Sequence, residues 1–194
     1  MKRIVTGGAL AIAAIAFAGA VYAVDHPLVA LKLILKQNTA TSKEKAVLVV
    51  KPFGLGLPTA SPIDVGATYS VTGLDQTGTT SLPASGWQTN SGGTLYKFIN
   101  KSAPGGPSLC KVAVVKANTV FKVVCKDSLI DLDDPMQGTV KAKLTIGSDV
   151  YCAACSAPLK DEPGKYIAKG CPAPVDCYGS ASLAFLGSSA DLLD

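Results

Sequence analysis

The chain has 194 residues, of which 48% are hydrophobic and 16% charged, with a formal net charge of +4. That balance suits one folded domain with one core. Arg3 is the only arginine and the lysines fall singly, so the arginine forks that read nucleic acid and the basic clusters that hold an anionic membrane are both missing.

Lys2 and Arg3 precede an Ala/Gly-rich apolar run from Ile4 to Gly19, and Val21-Tyr22-Ala23 forms a small-x-small site. This is the anatomy of a secretory signal over residues 1–23, with the mature chain beginning at Val24. The competing reading is an uncleaved anchor, because Ile4 to Val24 is just long enough to cross a bilayer. Cleavage would remove Lys2 and Arg3, and with them half of the net positive charge. A single sandwich domain is expected over 24–178, followed by a tail over 179–194.

Leu31, Leu33 and Leu35 alternate with Lys32, Ile34 and Lys36, the period of two of a strand with one buried face. Ala46 to Val50 reads as a strand covered on both faces. Prolines and glycines from Pro52 to Pro62 interrupt the chain, and a strand follows over Ala67 to Val71. The stretch from Gly73 to Gly93 is turn-rich and holds the lone Trp87. Tyr96 and Phe98 alternate with Lys97 and Ile99 in a strand closed by Pro104 to Pro107.

Cys110, Val112 and Val114 share one strand face, and Phe121, Val123 and Cys125 share one face of the next. Pairing about Ala117-Asn118 sets 110 opposite 125, 112 opposite 123 and 114 opposite 121. A four-residue loop closed by Val115 and Val120 fits better than a two-residue turn, which would require positive φ at alanine. Cys110 and Cys125 then form a non-hydrogen-bonded pair, close enough for a cross-strand disulfide.

Asp127, Asp131, Asp133 and Asp134 concentrate carboxylates in a loop. A weak calcium loop at Asp131, Asp133 and Asp134 is conceivable, but the EF-hand spacing is absent and acidic turn residues need no metal. Val140, Ala142, Leu144 and Ile146 mark another strand, and Gly147 to Asp149 turns the chain into Val150-Tyr151-Cys152. Residues 157–177, rich in Pro, Gly and Lys, are expected to run irregularly between their cysteines. Ser180 to Asp194 reads as a short helix or a loose tail.

The six cysteines all follow residue 109. In an exported chain an even count reads as a disulfide framework. A zinc site of Cys152, Cys155, Cys171 and Cys177 lacks a second short knuckle. A thioredoxin-type motif lacks its βαβ setting, and Ser156 stands where haem attachment requires histidine. These residues alone leave three pairings open among the four cysteines. Catalytic groups are sparse: any Ser-His-Asp or Cys-His arrangement must use His26, which precedes Pro27 and is expected to be a solvated residue near the mature N-terminus. No catalytic residue, cofactor or metal is therefore assigned. The pattern of short strands and turns implies an all-β fold, an antiparallel β-sandwich stapled by disulfides with an irregular cysteine-rich C-terminal segment.

Gly66-Ala67, Gly86-Trp87, Leu95 to Phe98, Leu109 to Val112, Val124 to Lys126, Asp134 to Gly138 and Tyr151 to Ala153 resemble segments of exported, cysteine-containing β-rich proteins of environmental bacteria. That group has no assigned activity, so the resemblance, which spans roughly residues 30 to 178, implies a fold and not a chemistry. It implies a Cys152–Cys177 bridge. Cys155 and Cys171 stand as additions to the pattern, together forming a supplementary bridge.

Three functional classes follow. The first is a non-catalytic exported domain, periplasmic or extracellular, that binds a protein or glycan partner or builds the envelope. The second is an assembly subunit joined by strand addition, with Leu28 to Leu35 as donor. The third is a secreted hydrolase or carbohydrate-binding protein that uses Trp87, Tyr96 and nearby acids.

Overall fold

A computed structural model describes residues 23–37, 44–50, 54–104, 106, 108–133 and 136–178. The expected signal over 1–23, apart from Ala23, and the expected tail over 179–194 lie outside the described residues. Among the described residues, no helix is long and apolar enough to cross a membrane.

Among the described residues thirteen strands run in chain order: β1 (Val24–Pro27), β2 (Ala30–Lys36), β3 (Lys45–Val50), β4 (Ala67–Thr72), β5 (Thr77–Leu82), β6 (Trp87–Thr89), β7 (Leu95–Ile99), β8 (Cys110–Lys116), β9 (Val120–Cys125), β10 (Val140–Ile146), β11 (Asp149–Cys155), β12 (Lys160–Glu162) and β13 (Lys165–Cys171). A single helical turn, α1 (Pro62–Val65), precedes β4 and is capped by the Ser61 side chain. The strands form a five-stranded sheet, β1-β11-β10-β4-β5, and an eight-stranded sheet, β12-β13-β2-β3-β9-β8-β7-β6. The fold is the expected all-β sandwich, antiparallel throughout except where β1 runs parallel to β11.

Period-two alternation explains the core. Tyr69 and Val71 of β4, Ala142 and Leu144 of β10, and Tyr151 and Ala153 of β11 face inward from the smaller sheet. Leu33, Leu48, Val115, Phe121, Val123 and Tyr166 meet them from the larger one. Two β-bulges reset that alternation. On β2 the register shifts between Ala30 and Lys32, so Leu31 turns outward while Leu33 and Leu35 stay buried. On β8 the register shifts between Cys110 and Val112.

The second bulge corrects the expected hairpin. Cys110 does lie opposite Cys125, but beyond it Ala113 pairs with Val123 and Val115 with Phe121. The inward residues are thus Ala113 and Val115 rather than Val112 and Val114, because the extra residue flips every following side chain. The loop has three residues between Lys116 and Val120, and Asn118 takes a positive φ of 49°, a conformation asparagine tolerates better than most residues.

The segment expected to be irregular is half strand. β12 and β13 form a hairpin, and β13 docks on β2 from Lys165 opposite Lys36 to Cys171 opposite Ala30. Tyr166 and Ala168 bury on one face with Lys165, Ile167 and Lys169 opposed to them, an alternation masked by the surrounding glycines and lysines. Besides the turn between the two strands, Ala157 to Leu159 and the stretch after Cys171 lack regular structure. β2, proposed as a donor strand through Leu28–Leu35, is already paired on both edges, by β13 and β3.

Candidate functional site

All six cysteines are paired, as Cys110–Cys125, Cys152–Cys177 and Cys155–Cys171. Each bridge has a different task. Cys110–Cys125 staples two neighbouring strands of one sheet. Cys155 on β11 and Cys171 on β13 tie one sheet to the other. Cys152, on the outer face of β11, pins the chain after β13 to that face, where Val150, Cys152 and Cys177 form a small apolar cluster of their own. Such a set of bridges belongs to an oxidising, extracellular-type environment.

His26 is not the solvated residue expected from sequence. The parallel pairing sets His26 beside Tyr151, and the two rings stack with centroids 4.4 Å apart and planes 11° apart. Its Nε2 lies 2.7 Å from Asp149 Oδ1. The other oxygen, Oδ2, accepts from the Thr59 amide at 2.8 Å and the Thr59 hydroxyl at 2.6 Å. The Asp149 side chain is 1% exposed and that of His26 21%. Burial pushes the Asp149 carboxyl upward, but the hydrogen bonds from Thr59 and His26 and the attraction of the imidazole outweigh it and hold the group below its usual range. An ionised Asp149 requires the proton to sit on Nε2. Tyr151 donates to the Gly56 carbonyl at 3.1 Å. Burial and the neighbouring Asp149 charge raise its phenol far above the ordinary value.

This arrangement orders a strand. The hydroxyl of Thr59 is directed to Asp149, not to the imidazole, so the pair lacks the geometry of an activated nucleophile. Sequence reasoning missed the site because His26 and Asp149 are 123 residues apart and each sits in an uninformative context, one before a proline and one in a turn. A histidine in reach of a carboxylate becomes visible only once β1 is known to run parallel to β11.

The acidic loop is occupied by its own backbone. Asp127 accepts from the Leu129 amide at 2.6 Å and Asp131 from the Asp133 amide at 2.9 Å. The Asp131 backbone is clasped by Gln76, which accepts its amide and donates to its carbonyl, both at 2.7 Å. Asp134 lies outside the described residues. Among the described residues, no three His, Cys, Asp or Glu side chains are placed to hold a metal ion.

Trp87 is 4% exposed. Its Nε1 donates to the Leu82 carbonyl at 3.1 Å, and its ring tilts against Phe98 with centroids 5.6 Å apart. It is a core residue and offers no platform to a sugar. Tyr96 is half-buried on β7, packed against the same core.

No protein-family model matches the chain, and neither a curated protein nor a solved structure shows significant similarity to it.

Proposed function

We propose that the chain is exported, is cleaved before Val24, and acts without catalysis as a structural or partner-binding domain of the envelope or cell surface. The observation that carries this reading is the use made of the single histidine. His26, the residue any histidine-dependent mechanism would need, stacks on Tyr151 and is hydrogen-bonded to a buried carboxylate that Thr59 holds. Its role is to fasten the first strand. Three bridges that join strands, sheets and terminal segment support a protein built for persistence outside the cytoplasm. Cleavage before Val24 also agrees with the local structure. Val24 opens β1, and its nitrogen donates to the Ser148 carbonyl at 2.8 Å, a bond that a new α-ammonium would keep.

The test uses labelled mature protein added to cells of the producing organism that lack it. Saturable surface retention, unchanged in His26→Gln, is the expected result. Absence of retention, together with turnover of an ester, peptide or glycan substrate that disappears in His26→Gln or Asp149→Asn, would replace this reading with an enzymatic one.

A further inference from the structure

The outer face of the smaller sheet carries a groove formed by the pinned segment after β13. Lys141 and Lys143 are two apart on β10, so both ammonium groups stand on this face. β11 contributes Ala154 and the Cys152–Cys177 bridge, and Pro174 and Val175 close the far side around about 290 Å³. The wall is fixed at one place by two contacts. Cys177 is covalently bound to β11, and its amide donates to Asp25 Oδ2 on β1 at 3.0 Å. Apolar surface lines the groove, yet Val175 is 98% and Tyr178 61% exposed, an unusual presentation for two large side chains next to a disulfide-held wall.

Charge divides the groove. Neither Lys141 nor Lys143 belongs to an ion pair among the described residues. Lys143 Nζ lies 5.8 Å from the centroid of the Tyr178 ring. Across the groove from β10 the Asp176 carboxylate accepts the Tyr178 amide at 3.0 Å, and the two ammonium groups attract negative charge at β10. Ser70 and Thr72, the cross-strand neighbours of Lys143 and Lys141, put hydroxyl groups beside the ammonium groups.

We propose that this groove binds a small carboxylate with an apolar or aromatic body. The carboxylate sits against Lys141 and Lys143, and the body lies along Val175, Pro174 and the Tyr178 ring. Mostly apolar lining with a few convergent polar groups is the usual make-up of a small-ligand pocket. The site is distinct from the His26–Asp149 pair and does not depend on the surface role proposed above.

The probe is phenylacetate, titrated into the ¹⁵N-labelled full chain at low salt, with neutral phenylacetamide as its counterpart. Saturable shifts confined to the amides of residues 141–143, 152–154 and 175–178 are expected, with the amide at least about fivefold weaker. Replacing either lysine, Lys141→Met or Lys143→Met, should weaken phenylacetate by roughly fivefold, as for a partly exposed ion pair. Tyr178→Ala should weaken both probes, and Lys122→Met on the other sheet should change neither. Near-UV circular dichroism shows that each variant is folded. Equal affinity for acid and amide, shifts scattered over surface lysines, or no binding would overturn the proposal. So would binding seen only after residues 180–194 are removed, which would make the chain's own tail the occupant.

Discussion

His26 and Asp149 are 123 residues apart in the chain and 2.7 Å apart in the fold. Their pairing, with Tyr151 stacked beneath the imidazole, fastens a four-residue parallel strand to the edge of the smaller sheet. Backbone bonds alone hold a strand of that length weakly. The carboxylate therefore links the protonation state of one buried residue to the docking of β1.

Because the Asp149 carboxyl is held below its usual value, the stabilisation it gives is in full force above the unfolded-state value near pH 4. It is lost as the pH falls through the lower folded-state value. Asp149→Asn should cost about 1–3 kcal/mol at pH 7 by leaving the site with fewer charged hydrogen bonds. The same variant should flatten the acid limb of stability against pH. Urea denaturation from pH 2 to 7 measures both effects, and hydrogen exchange should show β1 loosened before the core.

The bulge on β8 is tested by a pair of substitutions. Val112→Lys should cost no more than about 1 kcal/mol, since Val112 is only half-buried. Ala113→Lys, at a fully buried position, should cost about 3 kcal/mol or more. The reverse order, read from urea midpoints, would restore the unbulged register.

The bridges should separate by what they hold. Loss of Cys110–Cys125, which closes a 15-residue separation, should cost roughly 3 kcal/mol, mainly by freeing the unfolded chain. Loss of Cys152–Cys177 should instead release hydrogen-exchange protection locally, in residues 172–178 and in β1, which Asp25 joins to Cys177. Thermal unfolding of paired Cys→Ala variants with residue-resolved exchange distinguishes the two.

Gly78 on the edge strand β5 packs directly under the Leu129 carbonyl; a Cβ built there would lie 1.5 Å from that oxygen. Gly78→Ala should therefore displace the loop that delivers Ile130 and Leu132 to the core, at a cost of about 1–3 kcal/mol. Gly92→Ala, in an open turn with nothing closer than 3.8 Å, is the control.

The features legible from sequence were those that repeat or lie close together. Alternation in β2, β7 and β10 and the facing cysteines at 110 and 125 carried the sandwich and one bridge. The other two bridges came from a resemblance, since spacing alone does not choose among pairings. What escaped had a physical reason in each case. A bulge leaves no local mark on an otherwise regular run, so the inward faces of β8 were shifted by one. β13 was hidden because Tyr166 and Ala168 supply a short apolar stripe amid lysine and glycine, and its stability comes from β2, 130 or so positions earlier. The His26 site was invisible for the same reason: a long-range parallel pairing, not a motif, assembles it.

The most direct measurement is intact mass and non-reducing peptide mapping of the protein recovered from the exported fraction. The expected product begins at Val24, has no free thiol, and yields three linked peptides containing Cys110–Cys125, Cys152–Cys177 and Cys155–Cys171. A full-length product retained in the cytoplasmic fraction, or thiols found reduced in the native protein, would contradict an exported domain stapled by disulfides.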